Sequence, residues 1–444
     1  MTSDTEPTEN EDLVRAIGPH ALGANVVNMV VGGGIFVLPG LVAVHLGASA
    51  IFSYLICALG VALVFLCFAE LGTRITRSGG AYAYIEEAFG PFAGFVSSIV
   101  FWFGWSALSD AAIAAAMVQT IGVAIPGLAE PIPRALLIIG LFAFLAVVNI
   151  RGVESGVRLY VVNTVVKLIP LVLLVVVGLF AIDFENLKIL ETLSLDGIGA
   201  AAVLLFFAFA GAESALSASG EIMNPKRTVP LGLLLGMVGV LALYVGLQTV
   251  SQGVLGPALA ENTDAPLAAV ARIVLGDWGG QLLLVAGVIS IFSTVSGEIL
   301  NAPRVVFASA RDGNLPKMLG RVHPKYKTPH VAILFMSALI GALTILGSFK
   351  ALAIVASGSI LLIYLAVSLA VIRLRQRDGL PKPGEFRIPF GATIPVLSAL
   401  VICWLLFQLS GAEALGVAAL VGVSVLLFGI RQLAQRTKSS GPIP

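Results

Sequence analysis

Four carboxylates and one ammonium sit in stretches of this chain that are otherwise apolar: Glu70, Asp110, Glu213, Glu298 and Lys167. Lys167 is the most isolated. The stretch around it, residues 157–180, is long enough to cross a bilayer as a helix. At 1.5 Å rise per residue its stem falls roughly 15 Å from either face. An unpaired charge at that depth costs at least ~2.5 kcal/mol. A lysine there marks a proton or ion site, unless it snorkels or is neutralised by a packing partner. Glu70 lies one turn before Arg74, which predicts a local ion pair near a membrane face. Should Asp110, Glu213 and Glu298 face one cavity with Lys167, three acids share protons with one base and their titrations are coupled.

Two interruptions could bring these groups together. Gly32, Gly33 and Gly34 followed by Pro39 are poor material for a continuous helix. Gly211 and the acidic Glu213 interrupt a second apolar stretch five spans later. Unwound backbone survives in lipid only where it lines a cavity, and there its free N–H and C=O groups become ligands. The amides that follow the glycines favour a carboxylate, and the carbonyls before the break favour an ammonium. Together they fit the two charged groups of an α-amino acid. Close helix packing through small residues is the plainer alternative for glycines in a span.

The elements that must position these residues follow from composition. The chain is 58% hydrophobic and 11% charged, against about 25% charged in a soluble domain, so it is an integral membrane protein. A net charge of +1 gives no hint of a nucleic-acid partner. Cys57, Cys67 and Cys403 lie in apolar segments without metal-like spacing, and the four histidines do not cluster with Cys or Asp. No metal or cofactor is implied, and an intramembrane enzyme has none of its usual residues. A passive channel would have no use for paired helix breaks or a dehydratable lysine.

Apolar segments predict twelve spans, near residues 18–45, 48–73, 92–123, 134–150, 157–182, 197–222, 230–252, 279–308, 329–348, 351–374, 391–410 and 412–430. With the N-terminus inside, the outer loops hold only Arg134, Lys188, Arg272 and Lys350. Apart from Lys167 the remaining lysines and arginines fall inside, a bias of about five to one. Both termini are therefore expected in the cytoplasm. The organisation expected is a disordered tail over 1–15, one five-helix unit over 16–182, a second over 183–378, two peripheral helices over 379–432 and a tail over 433–444. An amphipathic outer-loop helix is expected near 264–275, with Leu267, Val270, Ile273 and Val274 on one face, packed as a lid. Tyr82 and Tyr84, after Gly79 and Gly80, suit a short helix over the cytoplasmic vestibule. The last two spans could support a homodimer contact, but nothing in them requires one.

Particular motifs carry a resemblance. They are Ile35-Phe36 after the glycines, the run from Ser78 to Tyr84, Phe89 to Phe92, Gly211-Ala212-Glu213, Glu221 to Pro230, and Ala310 to Pro316. In this order they resemble the amino acid–polyamine–organocation transporters, over residues 15–430. The resemblance implies an all-α membrane protein with a leucine-transporter-like inverted repeat of five plus five helices, helices one and six being broken, and transport by alternating access. It implies that the Gly32, Gly33 and Gly34 amides bind a substrate carboxylate. The carbonyls of Val30, Phe207 and Ala210 would lie near its α-amino group, and the Phe207 ring would cover it. Gly104, Trp105 and Ser109 would line the side-chain pocket, with Asp110 adjoining. Lys167 falls where proton-coupled members carry a lysine in place of sodium, and Glu213 where an acid links protonation to helix movement. Proton coupling is thus expected, with Lys167 as a fixed charge in an exchanger as the alternative. Glu298 falls where arginine exchangers of the family carry a tryptophan. A carboxylate there departs from the pattern, and reads as a partner for a cationic side chain, as part of an internal charge relay or as a water-facing structural acid. The partners implied are an amino acid, a proton and the lipid bilayer, with polyamine carriage as the alternative substrate.

Overall fold

The structure, a computed structural model, describes residues 17–75, 80–151, 153–189, 195–216, 222–311, 315–326 and 328–439. The expected N-terminal tail lies outside them. Seventeen α-helices follow in order. The first seven are α1 (Pro19–Val30), α2 (Leu38–Leu46), α3 (Ala50–Arg74), α4 (Ala81–Phe89), α5 (Pro91–Ile99), α6 (Leu108–Ala124) and α7 (Pro131–Arg151). Next come α8 (Val153–Gly178), α9 (Leu195–Phe209), α10 (Ala212–Ala215), α11 (Pro225–Leu255) and α12 (Pro266–Leu275). The last five are α13 (Asp277–Arg311), α14 (His330–Leu346), α15 (Phe349–Asp378), α16 (Thr393–Phe407) and α17 (Gly411–Ser439). Among the described residues there is no strand, only one parallel bridge that joins Ile17 to Ile222. α5 and α6 are one continuous rod, because residues Val100–Ala107 between them wind as a π-helix.

Eight helical stretches are long and apolar enough to cross a membrane: Leu38–Arg74, Pro91–Gly122, Pro131–Arg151, Gly197–Ala215, Pro225–Glu261, Asp277–Arg311, Phe349–Asp378 and Gly411–Gln432. Four shorter apolar helices accompany them, over Val166–Ala181, Pro266–Leu275, His330–Leu346 and Thr393–Phe407. The protein is a multi-pass membrane bundle. Its outer shell is greasy where lipid would lie: Ile132, Leu136 and Ile139 on α7, and Leu415 and Leu426 on α17, are exposed.

The closest crossing is the one that sets the site. Leu22, Val26 and Val30 repeat every fourth residue along α1 and are all buried. Leu22 and Val26 press on Gly232 and Gly236 of α11, where an added methyl would lie 2.7 Å from Leu22 Cδ2 and would overlap Val26. Small residues four apart let two helix backbones approach and gain packing that larger side chains would prevent. This contact fixes the register of α11, and with it Tyr244, against the end of α1.

Two expectations change at the ends of the bundle. Glu70 does not pair with Arg74. Its two carboxylate oxygens take the Arg375 guanidinium as a fork, Nε at 2.7 Å and Nη2 on the other oxygen, and Oε2 also accepts the Ile388 N–H at 3.0 Å. A planar fork that satisfies both oxygens of a fully buried carboxylate outcompetes a partner one turn along its own helix. Arg74 turns instead to Asp378, at 3.9 Å. The outer-loop helix begins at Pro266, and Ile273 is not on its packed face. Leu267, Ala268, Val270 and Ala271 are buried and Val274 is half-buried, whereas Ile273 is 61% exposed. At 100° per residue, Ile273 points roughly 130° away from the mean direction of that stripe. The loop leading into α12 seats on α2, where a methyl on Gly40 would touch the Asn262 carbonyl at 2.5 Å. Gln119 of α6 donates to Asp264 at 2.6 Å. Tyr82 and Tyr84 do sit on a short helix, α4, with Tyr84 fully buried against Phe68 of α3.

Candidate functional site

α1 stops at Val30 because Gly32 breaks its hydrogen-bond ladder. In a continuous helix the Gly32 N–H would return to the Asn28 carbonyl. Here it donates to Val30 O at 2.8 Å, a tight reverse turn across Val31. The chain restarts as a 3-10 turn over Gly34–Phe36 that leads into α2. Gly33 and Gly34 head this turn, so their N–H groups have no helical acceptor behind them. Gly32 has spent its own. The second break repeats the pattern between α9 and α10. Gly211 adopts φ +119°, a region that favours glycine, and its N–H donates to the Glu213 carboxylate at 3.0 and 3.1 Å instead of returning to Phe207. Ser214 N–H likewise goes to Gly211 O at 3.0 Å instead of to Ala210. The carbonyls of Phe207 and Ala210 are thereby released from the helix ladder.

The two breaks touch. A methyl on Gly211 would lie 2.9 Å from Met29 O. The Tyr244 hydroxyl of α11 spans both breaks, 2.9 Å from Val30 O and 3.0 Å from Ala208 O. Lys167 completes the arrangement. Its Nζ, on α8, donates to Asn28 O at 2.8 Å. That is the carbonyl the Gly32 turn leaves open, at the negative end of the α1 dipole. Lys167 is fully buried, and among the described residues no carboxylate lies within ion-pair distance of it.

The acids sort by their partners. Glu213 is well satisfied: beside Gly211 N–H it accepts the Tyr364 hydroxyl of α15 at 2.7 Å. Glu298 is half-buried and, among the described residues, holds only the Ser106 hydroxyl, at a long 3.5 Å. Asp110, one turn beyond Ser106 on the rod, is 1% exposed, and its Oδ2 has no hydrogen-bond partner among the described residues. Ile113 and Ile291 wall Gly33, at 3.3 and 2.5 Å from a methyl placed there, and Thr294 lies against Gly32. The Phe207 ring packs beside Gly34 and edge-on to Trp105 and Phe349, with centroids 5.9 and 5.8 Å apart.

Of the residues singled out in the sequence, Val30, Gly32, Gly33, Gly34, Trp105, Asp110, Lys167, Phe207, Ala210, Glu213 and Glu298 gather around the breaks. Gly104 does not. It faces α15 and α17, where a methyl would meet Ser359 Oγ at 2.6 Å and overlap Leu420. Trp105 and Gly104 are neighbours on one rod, so when Trp105 turns to Phe207 its neighbour must turn elsewhere. Ser109 is half-buried and bonds back to Ser106 O at 3.3 Å. Sequence reasoning missed Tyr244 and Tyr364. The available signal was a buried tyrosine amid aliphatic residues, since such a hydroxyl needs a partner.

Comparison with known proteins adds the family. The model described as amino acid permease matches residues 18–429. The chain is similar to the serine/threonine exchanger SteT of Bacillus subtilis, 30% identical over 404 residues that cover 88% of this chain and 90% of that protein. It is 27% identical over 423 residues to the branched-chain amino acid permease BcaP of the same organism, covering 90% and 89% of the two chains. A methylthioribose transporter, again of Bacillus subtilis, is 25% identical over 445 residues, covering 95% of this chain and 94% of that protein.

Proposed function

Since this chain belongs to the amino acid permease family, we propose that it carries amino acids across the cell membrane by alternating access, with a proton as the coupling ion and Lys167 as its carrier. The observation that carries the proposal is the contact of two broken helices with Lys167 seated on the carbonyl that one break leaves open. The substrate carboxylate would take the N–H groups of Gly33 and Gly34, and the α-ammonium the carbonyls of Phe207 and Ala210. Phe207, with Trp105 and Phe349, would close the site from the side where α15 begins.

In this reading α1 with α2, α8, α14 and α16 complete twelve spans. The units are two inverted five-helix repeats with α16 and α17 at the periphery, and both termini are cytoplasmic. A protonated Lys167 holds Asn28 O and fixes the inner half of α1. Loss of the proton weakens that hold and lets the half-helix swing. A charged lysine at this position also supplies, without sodium, the positive charge that the C-terminal end of α1 attracts.

Exchange without proton coupling is the second reading, favoured by the similarity to SteT, an exchanger. Reconstitution in liposomes separates the two. Uptake of labelled amino acids driven by an inward proton gradient, lost in Lys167→Ala while counterflow persists, supports coupling. Uptake that ignores the gradient and requires preloaded substrate makes Lys167 a fixed charge.

A further inference from the structure

The charges near the breaks are unequally satisfied. Lys167 is held by Asn28 O, and Glu213 by Gly211 N–H and Tyr364. Asp110 and Glu298 are not. They sit on two different helices, the α5–α6 rod and α13, and Ser106, one turn before Asp110 on the rod, reaches Glu298 at 3.5 Å. No hydrogen bond joins them, Asp110 Oδ2 is orphaned, and among the described residues neither has an ion-pair partner. One buried and one half-buried carboxylate that neither share a hydrogen bond nor hold a cation leave acceptor sites that a ligand can fill.

Their placement defines which ligand. Ile113 walls Gly33, and Asp110 lies three residues from it, about 4.5 Å along the rod. Thr294 lies against Gly32, and Glu298 is four residues on, about 6 Å along α13. The two acids therefore lie about one helical turn beyond the glycine amides, past an apolar wall of Ile113, Ile291, Phe207 and Trp105. A carboxylate at the amides, three or four methylenes along that wall and a cation between the acids describe one chemical class.

We propose that Asp110 and Glu298 form the receptor for a cationic side chain, so that the preferred substrates are basic α-amino acids such as arginine, lysine and ornithine. The inference deepens the transport function proposed above and rests on it. Ser106, which donates to Glu298 and precedes Asp110 by one turn, positions the pair.

Matched pairs of ligands test it: arginine against citrulline, and lysine against norleucine, which keep the shape and remove the charge. In proteoliposomes carrying the full chain, arginine should compete for labelled lysine uptake at concentrations about tenfold or more below citrulline, as loss of one charge-assisted contact predicts. Asp110→Asn with Glu298→Gln should collapse that ratio to within about twofold. Folding of the variants is read from monodisperse elution, and the isosteric Glu298→Gln alone carries the test where the pair does not fold. Citrulline and norleucine transported as well as their charged partners would overturn the inference and leave the transport function standing. So would an arginine-to-citrulline ratio that the substitutions do not move. Accumulation of no amino acid, charged or neutral, would instead sink the transport function itself. Agmatine, which keeps the guanidinium and lacks the carboxylate, should be rejected; its transport in preference to arginine would overturn the amino acid class.

Discussion

Tyr244→Phe removes one oxygen from the point where the two broken helices meet. The ring stays: it packs on Phe209 at 5.2 Å between centroids, and phenylalanine preserves that contact. The hydroxyl it loses sits 2.9 Å from Val30 O and 3.0 Å from Ala208 O. Val30 O keeps its bond from Gly32 N–H at 2.8 Å, so the substitution orphans chiefly the Ala208 carbonyl. A buried acceptor left unsatisfied costs about 1–3 kcal/mol. At 1.4 kcal/mol per factor of ten, the population of this arrangement falls by roughly 5–150-fold relative to one that does not use the bridge. Tyr54 offers an internal control. It belongs to the same cluster, edge-on to Phe209 at 6.5 Å, is equally buried, and its hydroxyl has no partner among the described residues. Tyr54→Phe removes an oxygen that satisfies nothing, so it is expected to be neutral or mildly stabilising. The assay is uptake in proteoliposomes together with thermal unfolding in detergent, for the two variants side by side. Tyr244→Phe should lower both while Tyr54→Phe leaves both near wild type. Equal effects from the two substitutions would refute the idea that Tyr244 braces the breaks.

Glu70→Gln strips the fork from a guanidinium that is only 10% exposed, and is expected to destabilise by about 3–5 kcal/mol, read as a lower unfolding temperature. Arg74→Ala, whose 3.9 Å partner Asp378 is 39% exposed, should cost no more than about 1 kcal/mol in the same measurement. Gly211→Ala forces a Cβ into positive φ and to 2.9 Å from Met29 O. It should abolish uptake while purified protein still elutes as a single species, whereas normal uptake would mean that the breaks need not touch. On α12, Ile273→Ser should leave thermal stability unchanged, and Val270→Ser, at a fully buried position, should lower it by about 1–3 kcal/mol.

The sequence displayed the types of residue that matter better than it displayed their partners. The glycine break, the lone lysine and the buried acids are legible because each violates what a lipid-embedded helix tolerates. Their partners are largely backbone atoms. Lys167 binds the Asn28 carbonyl and Tyr244 the carbonyls of Val30 and Ala208, and a carbonyl has no letter in the sequence. Glu70 illustrates the same blindness in side chains. Arg74 stands four residues away and Arg375 three hundred and five, yet the distant one offers the better geometry. Gly104 was misjudged for a third reason. The resemblance alone put it in the pocket, whereas the π-helical stretch Val100–Ala107 changes the angle between successive residues and turns it to Ser359 and Leu420.

The end of α1 explains why this assembly would switch rather than flex. Three consecutive carbonyls emerge there, and each is engaged by a different part of the bundle. Asn28 O is held by Lys167 of α8, Met29 O is closed over by the backbone of Gly211 at the second break, and Val30 O is held by Tyr244 of α11. A small tilt of α1 cannot relax one of these contacts without straining the other two. Packed interfaces of this kind have discrete alternatives instead of a continuum. Of the three contacts, only the one made by Lys167 comes from a cationic group, whose charge a proton sets. Under the proposed coupling, removing or adding its proton would bias a cooperative rearrangement whose remaining contacts are pure geometry. That division of labour is what the proposal requires: one contact that would sense the ion, locked to neighbours that would convert its loss into movement of α1.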